Sequence, residues 1–256
     1  MTEQRKIGLA RALSKLGYCS RSQAAALIHS GRVGLNGRVS RDPEKPVRLP
    51  HDRIEVDGVT LGKKSAVYLV MNKPRGVVTT ASDEKGRATV YSLLDPSLPW
   101  VGPVGRLDKA SEGLLLLTND TEWAAQITAP SSHLDKKYHV QIDRVADAGL
   151  LAGIAREPSA APGKLPELAD LRAKSAQILR RGEKTTWLEI TLDEGKNRQI
   201  RRLLEGLGVG VLRLVRVSIG SLSLGNLQKG AIRPLTAEEK ESLDQSLSAV
   251  NSTRGR

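Results

Sequence analysis

The sequence predicts a two-domain α+β protein, in which a small helix-helix-hairpin module precedes a larger domain built on a mixed, largely antiparallel sheet. Three observations lead there. The first sixty residues hold two short runs of helical apolar spacing followed by a hairpin signal. A polar stretch at Gly62 to Ser65 then interrupts the apolar pattern. From Val67 onward, strand-like apolar runs alternate with helical ones.

In the first module, Ile7, Leu9, Ala10, Leu13 and Leu16 recur at helical spacing and Gly17 stops the helix. Ser20 is placed to cap a second helix that runs to about Ser30. Arg32 to Val39 alternates apolar and polar residues around Asn36-Gly37, a pair that tolerates positive φ at both positions and so marks a tight hairpin. A strand at Arg53 to Val56 ends in a second such turn at Asp57-Gly58. The larger domain is read from the strand-like runs VYLVM, GLLLLT, KYHVQI and TTWLEITL and the helical runs TEWAAQIT and NRQIRRLLEGL. The expected division is residues 1–60, a linker at 61–66, the main domain at 67–235 and a tail at 236–256 that begins as a short helix and then frays.

Composition narrows the class of partner. Apolar residues make up 39% of the chain and charged residues 27%, ordinary values for a folded protein. No apolar run is long enough to cross a membrane and the N-terminus lacks a signal-peptide pattern, so a cytoplasmic location is expected. Cys19 stands alone, which excludes an internal disulfide or a cysteine zinc site, and it reads as a small packing residue. The four histidines (29, 51, 133, 139) have no metal-ligand spacing, so no metal is expected. The net charge of +12 implies a polyanionic partner. The clustering of five arginines between Arg198 and Arg216 against the single acid Glu205 favours nucleic acid over mere solubility.

One loop stands out as a place for chemistry. Gly105-Arg106-Leu107-Asp108 and Lys109-Ala110-Ser111-Glu112 form a charged stretch bordered by glycine that leads into Gly113-Leu114-Leu115-Leu116-Leu117-Thr118. Four consecutive leucines imply a strand buried on both faces, hence a rigid mount for the loop before it. An aspartate there can be held in a cleft, although an ordinary turn aspartate would look the same by spacing alone. The run Gly206-Leu-Gly208-Val-Gly210 follows a helix instead of opening one, so it reads as a helix stop and not a dinucleotide fingerprint.

GRLDKASEGLLLLTND resembles the catalytic motif of RNA pseudouridine synthases, in particular the RsuA/RluB group that modifies ribosomal RNA. Residues 8–57 resemble the RNA-binding domain named after small-subunit ribosomal protein four. Lys73-Pro74-Arg75-Gly76-Val77 resembles the family's opening strand and loop, Lys136-Lys137-Tyr138 its tyrosine motif, and Glu194 to Arg202 its third motif. Ser111 departs from the family pattern, where threonine is common, and the chain has no phenylalanine.

The resemblance implies isomerisation of uridine to pseudouridine, a reaction that neither adds nor removes atoms and needs no cofactor. Asp108 would be the catalytic carboxylate, acting as a nucleophile or as a base. It must stay ionised in a site partly closed by RNA, which requires a nearby cation, and Arg201 is the implied ion-pair partner; Arg198 and Arg202 would face differently on a helix. Tyr138 would offer its ring to the flipped uracil or its hydroxyl to a proton transfer, the alternative being a core tyrosine. Arg106 would take the space or phosphate left by the flipped nucleotide. Lys136, Lys137, Arg198 and Arg202, with Arg21, Arg32 and Arg38 of the first module, would contact the RNA backbone, which sets position without reading sequence. The expected partner is ribosomal RNA or a subunit precursor met by a monomer, with a lean to the large subunit drawn from Val211 to Thr236. Modification of small-subunit, transfer or messenger RNA, and a role as a non-catalytic RNA clamp, remain as alternatives.

Overall fold

A computed structural model of the chain describes residues 6–49, 51–62, 64–81, 83, 85–155 and 171–252, with side chains to 248. The final residues of the expected frayed tail, 253–256, and one position of the expected linker, Lys63, lie outside the described residues. The chain divides into two compact units, and the first is not one continuous stretch: Met1–Leu69 is joined by Leu94–Val104 and Leu116–Ala125. The second comprises Val70–Leu93, Gly105–Leu115 and Gln126–Arg256.

The first unit begins with β1 (Ile7–Gly8), α1 (Leu9–Lys15) and α2 (Arg21–His29), followed by β2 (Val33–Leu35), β3 (Arg38–Val39), β4 (Pro46–Val47), β5 (Ile54–Val56) and β6 (Val59–Thr60). Gly17 ends α1 at φ 71°. Ser20 caps α2 as part of a capping box: its side chain accepts from the Gln23 amide while the Gln23 side chain accepts from the Ser20 amide. Asn36 and Gly37 take φ of 52° and 80°, and Asp57 and Gly58 take 50° and 80°, so both expected turns form and leave an antiparallel sheet in the order β3-β2-β5-β6. One core holds the module together, with Leu9, Leu13, Ile28, Val33, Val47 and Ile54 all essentially free of solvent. Cys19 is buried at its edge, where burial raises its thiol pKa to about 11, against a smaller lowering by Lys64.

The remaining strands are β7 (Tyr68–Lys73), β8 (Gly102–Val104), β9 (Glu112–Thr118), β10 (Lys136–Ile142), β11 (Ser175–Arg181), β12 (Thr186–Leu192), β13 (Val211–Ile219), β14 (Leu222–Ser223) and β15 (Ile232–Pro234). Between them come α3 (Thr121–Thr128), α4 (Ala148–Ala155) and α5 (Gln199–Gly206), and α6 (Ala237–Ser252) follows the last. The main sheet runs β11-β12-β10-β13-β9-β7-β15. It is mixed: β10 pairs antiparallel with β12 and β13, whereas β13 and β9 run parallel, Val215 beside Glu112 and Arg216 beside Gly113.

Strand alternation decides what each face does. Val140, Ile142, Leu188, Ile190 and Leu214 point to a core completed by Ile154 of α4 and by Ile200, Leu203 and Leu204 of α5. The intervening residues Lys137, His139, Gln141, Trp187, Glu189 and Arg213 are none of them buried and line the opposite face. Strand β9 is buried along its whole length, as four successive leucines require. The C-terminal helix is sixteen residues long, not short, because Thr236 and Glu239 form a capping box and Leu243 and Leu247 are buried.

Candidate active site

The loop carrying Asp108 is gripped by its main chain. Lys73 closes β7 with its side chain fully buried, and its ammonium donates to the carbonyls of Pro74 (3.1 Å), Asp108 (3.1 Å) and Ser111 (2.9 Å). Thr79 donates its hydroxyl to the Leu107 carbonyl at 2.8 Å and accepts from the Leu107 amide at 3.3 Å. The Gly76 amide donates to Lys109 O at 2.8 Å, and the Ser111 amide closes the turn on Asp108 O at 3.0 Å. Burial lowers the Lys73 pKa to about 8, while the negative charges of Asp108 and Glu112 resist the change and Arg216 adds to it. A buried cation therefore sits behind a carboxylate that faces outward.

Where the loop enters β9, Gly113 adopts φ 105°, and a Cβ there would collide with the main chain of Arg216. Glu112 beside it is almost fully buried. Burial pushes its pKa up, but Lys229 and Arg213 (3.2 Å to each carboxylate oxygen) more than reverse this. Two cations thus fix the residue that joins the loop to the sheet.

Asp108 is about one-third exposed and helps line a cavity of about 470 Å³ together with Val78, Thr79, Arg106, Lys109 and Asn197. Lys85, Arg87 and Asp83 form another part of the wall. Asp83 is held by the Arg87 guanidinium and amide, which bring its carboxyl down to about 2, so Arg87 is fixed in place there.

The carboxylate–guanidinium contact at Asp108 is made by Arg198, whose Nη1 lies 3.7 Å from Oδ2. The expected partner Arg201 instead donates from Nη2 to Ala110 O at 3.0 Å and from Nη1 to Val211 O at 3.4 Å. The reason for the exchange is backbone geometry. Arg198 is not on the helix but caps it in the left-handed region (φ 49°, ψ 32°), so helical facing does not apply to it. Arg201 still feels the site: burial and the charge of Arg198 lower its pKa, and Asp108 opposes them. Its buried Nε has no hydrogen-bond partner among the described residues.

The structure brings Asp108, Arg106, Arg198 and Arg201 together. Tyr138 does not line the cavity. It stands on β10 opposite Ile190 and Arg216, and Arg216 is in turn beside Gly113, so two strand spacings, about 10 Å, separate Tyr138 from the start of β9. Its ring packs on the core that includes α5 and its hydroxyl makes no hydrogen bond among the described residues. Lys136 is half-buried, and burial together with Arg216 lowers its pKa; Lys137 lies on the other face, 3.7 Å from Glu189. In the first unit Arg21 and Arg38 are exposed, whereas Arg32 forks onto Asp57 at 2.9 and 2.5 Å. Arg202 is half-buried within α5, its amide donating to Arg198 O at 2.9 Å. Sequence reasoning missed the burial of Lys73 and the wall residues Thr79, Arg87 and Asn197. The one available signal was a lysine ending an otherwise apolar strand.

A small basic module with a capped helix pair and hairpin, and a mixed-sheet unit presenting an aspartate among arginines, define an RNA-modifying class of protein. Comparison with known proteins supports that class. The family model described as RNA pseudouridylate synthase matches residues 67–206, and the S4 domain model matches residues 7–54. The ribosomal large subunit pseudouridine synthase B of Bacillus subtilis is 34% identical over 235 residues, covering 92% of this chain and 94% of that protein. An uncharacterised RNA pseudouridine synthase of Mycobacterium tuberculosis is 36% identical over 253 residues, 96% of each chain. Among solved structures, a crystal structure of a pseudouridylate synthase superimposes with a TM-score of 0.62 at 29% identity, covering 93% of this chain and 99% of that one. The chain belongs to the RNA pseudouridylate synthase family and carries an N-terminal S4 domain. Among the described residues, no helix is long and apolar enough to cross a membrane.

Proposed function

We propose that the chain converts a uridine of ribosomal RNA to pseudouridine, with Asp108 as the catalytic carboxylate and large-subunit RNA as the substrate. The observation that carries the reading is the Asp108 carboxylate itself, part-exposed on a cavity wall, 3.7 Å from the Arg198 guanidinium, on a loop tied down through its own carbonyls. The large subunit is favoured by the Bacillus subtilis relative named for it.

The target nucleotide leaves its stack and enters the cavity, at a cost of a few kcal/mol that contacts in the pocket offset. The bond between ribose C1′ and uracil N1 breaks, the base turns, a bond forms from C1′ to C5, the C5 proton is lost to solvent or a side chain, and N1 takes up a proton in its place. Atoms and electrons are conserved, so no cofactor is invoked. The Asp108 carboxylate acts as nucleophile or base facing the Arg198 guanidinium, with Arg201 bound behind it to the Ala110 carbonyl of the same loop. Arg106, Lys85, Arg87 and Lys109 ring the cavity and hold the phosphates on either side of the extruded nucleotide. We assign Tyr138 a supporting place in the core beneath α5 and no direct contact with the base, since its ring packs there and away from the cavity. The S4 domain, with Arg21 and Arg38 exposed, positions the enzyme by phosphate contact, and we place the protein in the cytoplasm as a monomer whose catalytic domain is residues 67–235.

Asp108→Asn tests this directly, because it removes the charge and keeps the shape. Wild-type protein incubated with deproteinised ribosomal RNA is expected to form pseudouridine at a defined position, and the variant to bind with similar affinity and form none. Equal conversion by both would remove Asp108 from the chemistry. Mapping pseudouridines in cells with and without the gene identifies the subunit.

A further inference from the structure

We propose that the sheet face opposite the helices is a second RNA-contact surface, where Trp187, flanked by Arg180 and Arg213, stacks an unpaired nucleotide lying outside the modified site. The inference rests on reading the chain as an rRNA-modifying enzyme, but nothing in that chemistry calls for this face.

The row is built by register. Arg180 on β11 and Gln141 on β10 are the cross-strand partners of Trp187 on β12, and Arg213 on β13 is the partner of Gln141. The two guanidiniums therefore come from opposite sides of β12, with their Cζ atoms 5.4 and 5.5 Å from the indole centroid. A bulge in the edge strand β11 produces this arrangement. Pairing Ile178 with Leu188 would bring Leu179 opposite Trp187, but the register shifts after Ile178 so that Arg180 takes the place and Leu179 is left out, 43% exposed. Bulges of this kind re-aim a side chain at the expense of ladder regularity. Here the result is an arginine, not a leucine, beside a half-buried tryptophan.

The two arginines differ in freedom. Arg213 is pinned by its fork on Glu112, four residues after Asp108, which makes the row continuous with the loop of the candidate active site. Arg180 is exposed and makes no ion pair among the described residues. It can swing from the indole to a phosphate and leave one ring face for a base, while Arg213 holds the other. The charge of the face suits a polyanion: Glu112 is shared by Arg213 and Lys229, and Glu189 by Lys137 and His139, so both of these acids are matched and, among the described residues, Arg180 is in surplus. A protein partner would be expected to meet an apolar patch, and this row offers a single indole among cations.

Decaadenylate is the probe, since it contains no uridine and cannot undergo the reaction. Full-length wild-type protein and Asp108→Asn are expected to bind it with equal Kd and to show quenched tryptophan fluorescence. Arg180→Glu, an exposed substitution, should weaken binding about tenfold, and Trp187→Leu should abolish most of the quench. On deproteinised ribosomal RNA, Arg180→Glu should raise KM several-fold and leave kcat unchanged. Unaltered Kd in Arg180→Glu, or a full quench in Trp187→Leu, overturns the proposal. So does a defect confined to protein-bearing subunit precursors, which would assign the face to a ribosomal protein. Wild-type protein that binds decaadenylate in this way but converts no uridine would defeat the catalytic reading and leave this surface standing.

Discussion

Replacing Lys73 by Met removes the ammonium behind the Asp108 loop and leaves a side chain of similar length, so little cavity is created. Three carbonyls lose a donor at once: Pro74, Asp108 and Ser111, now bonded at 3.1, 3.1 and 2.9 Å. The Asp108 carbonyl keeps the Ser111 amide as a donor, so two acceptors are left unsatisfied, at on the order of 1–3 kcal/mol each or about 4 kcal/mol together. Against this, the native ammonium is itself penalised, since its pKa falls from 10.5 to about 8, a displacement worth about 3 kcal/mol. The net loss is about 1 kcal/mol, which in a chain of this size lowers Tm by roughly 2–4 °C. Thermal unfolding measures that term. Single-turnover conversion at a temperature where the variant is folded measures the other, and a fall of at least about tenfold is expected, because a carboxylate displaced by 1 Å loses its alignment. The pH dependence follows with a definite sign. As pH rises through about 8, Lys73 becomes neutral and has two protons for three carbonyls, so wild-type conversion should decline. Stability should not decline with it: the folded pKa lies below the unfolded value, so the unfolded chain binds the extra proton between about 8 and 10.5 and this group's contribution rises with pH. A Lys73→Met protein with unchanged Tm and unchanged conversion rate, or a wild-type rate flat to pH 9.5, would refute the argument.

Three further substitutions separate chemistry from scaffold. Arg198→Ala removes a part-exposed contact with Asp108 and should lower kcat about 10- to 100-fold with Tm nearly unchanged, whereas Arg201→Ala should lower both, because its guanidinium is bound to Ala110 and Val211 carbonyls; calorimetry on the pair distinguishes them. Gly113→Ala combines φ 105° with a collision against the Arg216 main chain and should cost about 3 kcal/mol or more, read as a large drop in Tm or loss of soluble protein.

What was legible in the sequence was local. Asn36-Gly37 and Asp57-Gly58 announced their turns because positive φ is a property of those residues themselves, and Ser20 announced its cap for the same kind of reason. Four leucines in a row announced a strand with no solvent face. Long-range geometry was not legible. The pairing of Asp108 with Arg198 depends on a left-handed residue at a helix cap, which arginine does not signal. The Lys73 ammonium is satisfied by carbonyls 1, 35 and 38 positions away, and carbonyls have no sequence signature. The long C-terminal helix is readable in principle from Thr236 and Glu239 at capping-box spacing, a local signal that the polar character of the tail obscures.

Lys73, Thr79, Arg201 and the Gly76 amide all take hold of carbonyl oxygens between Leu107 and Ser111, and none of them engages the side chain of Lys109 or Ala110. Peptide groups are common to every residue type, so those two positions can be exchanged without loosening the clamp. Lys109, exposed and on the cavity wall, is therefore a place to retune which nucleotides are admitted, by charge or bulk, with the Asp108 carboxylate left where it is. Directed variation of substrate choice in this scaffold would begin at 109, not at the residues that do the gripping.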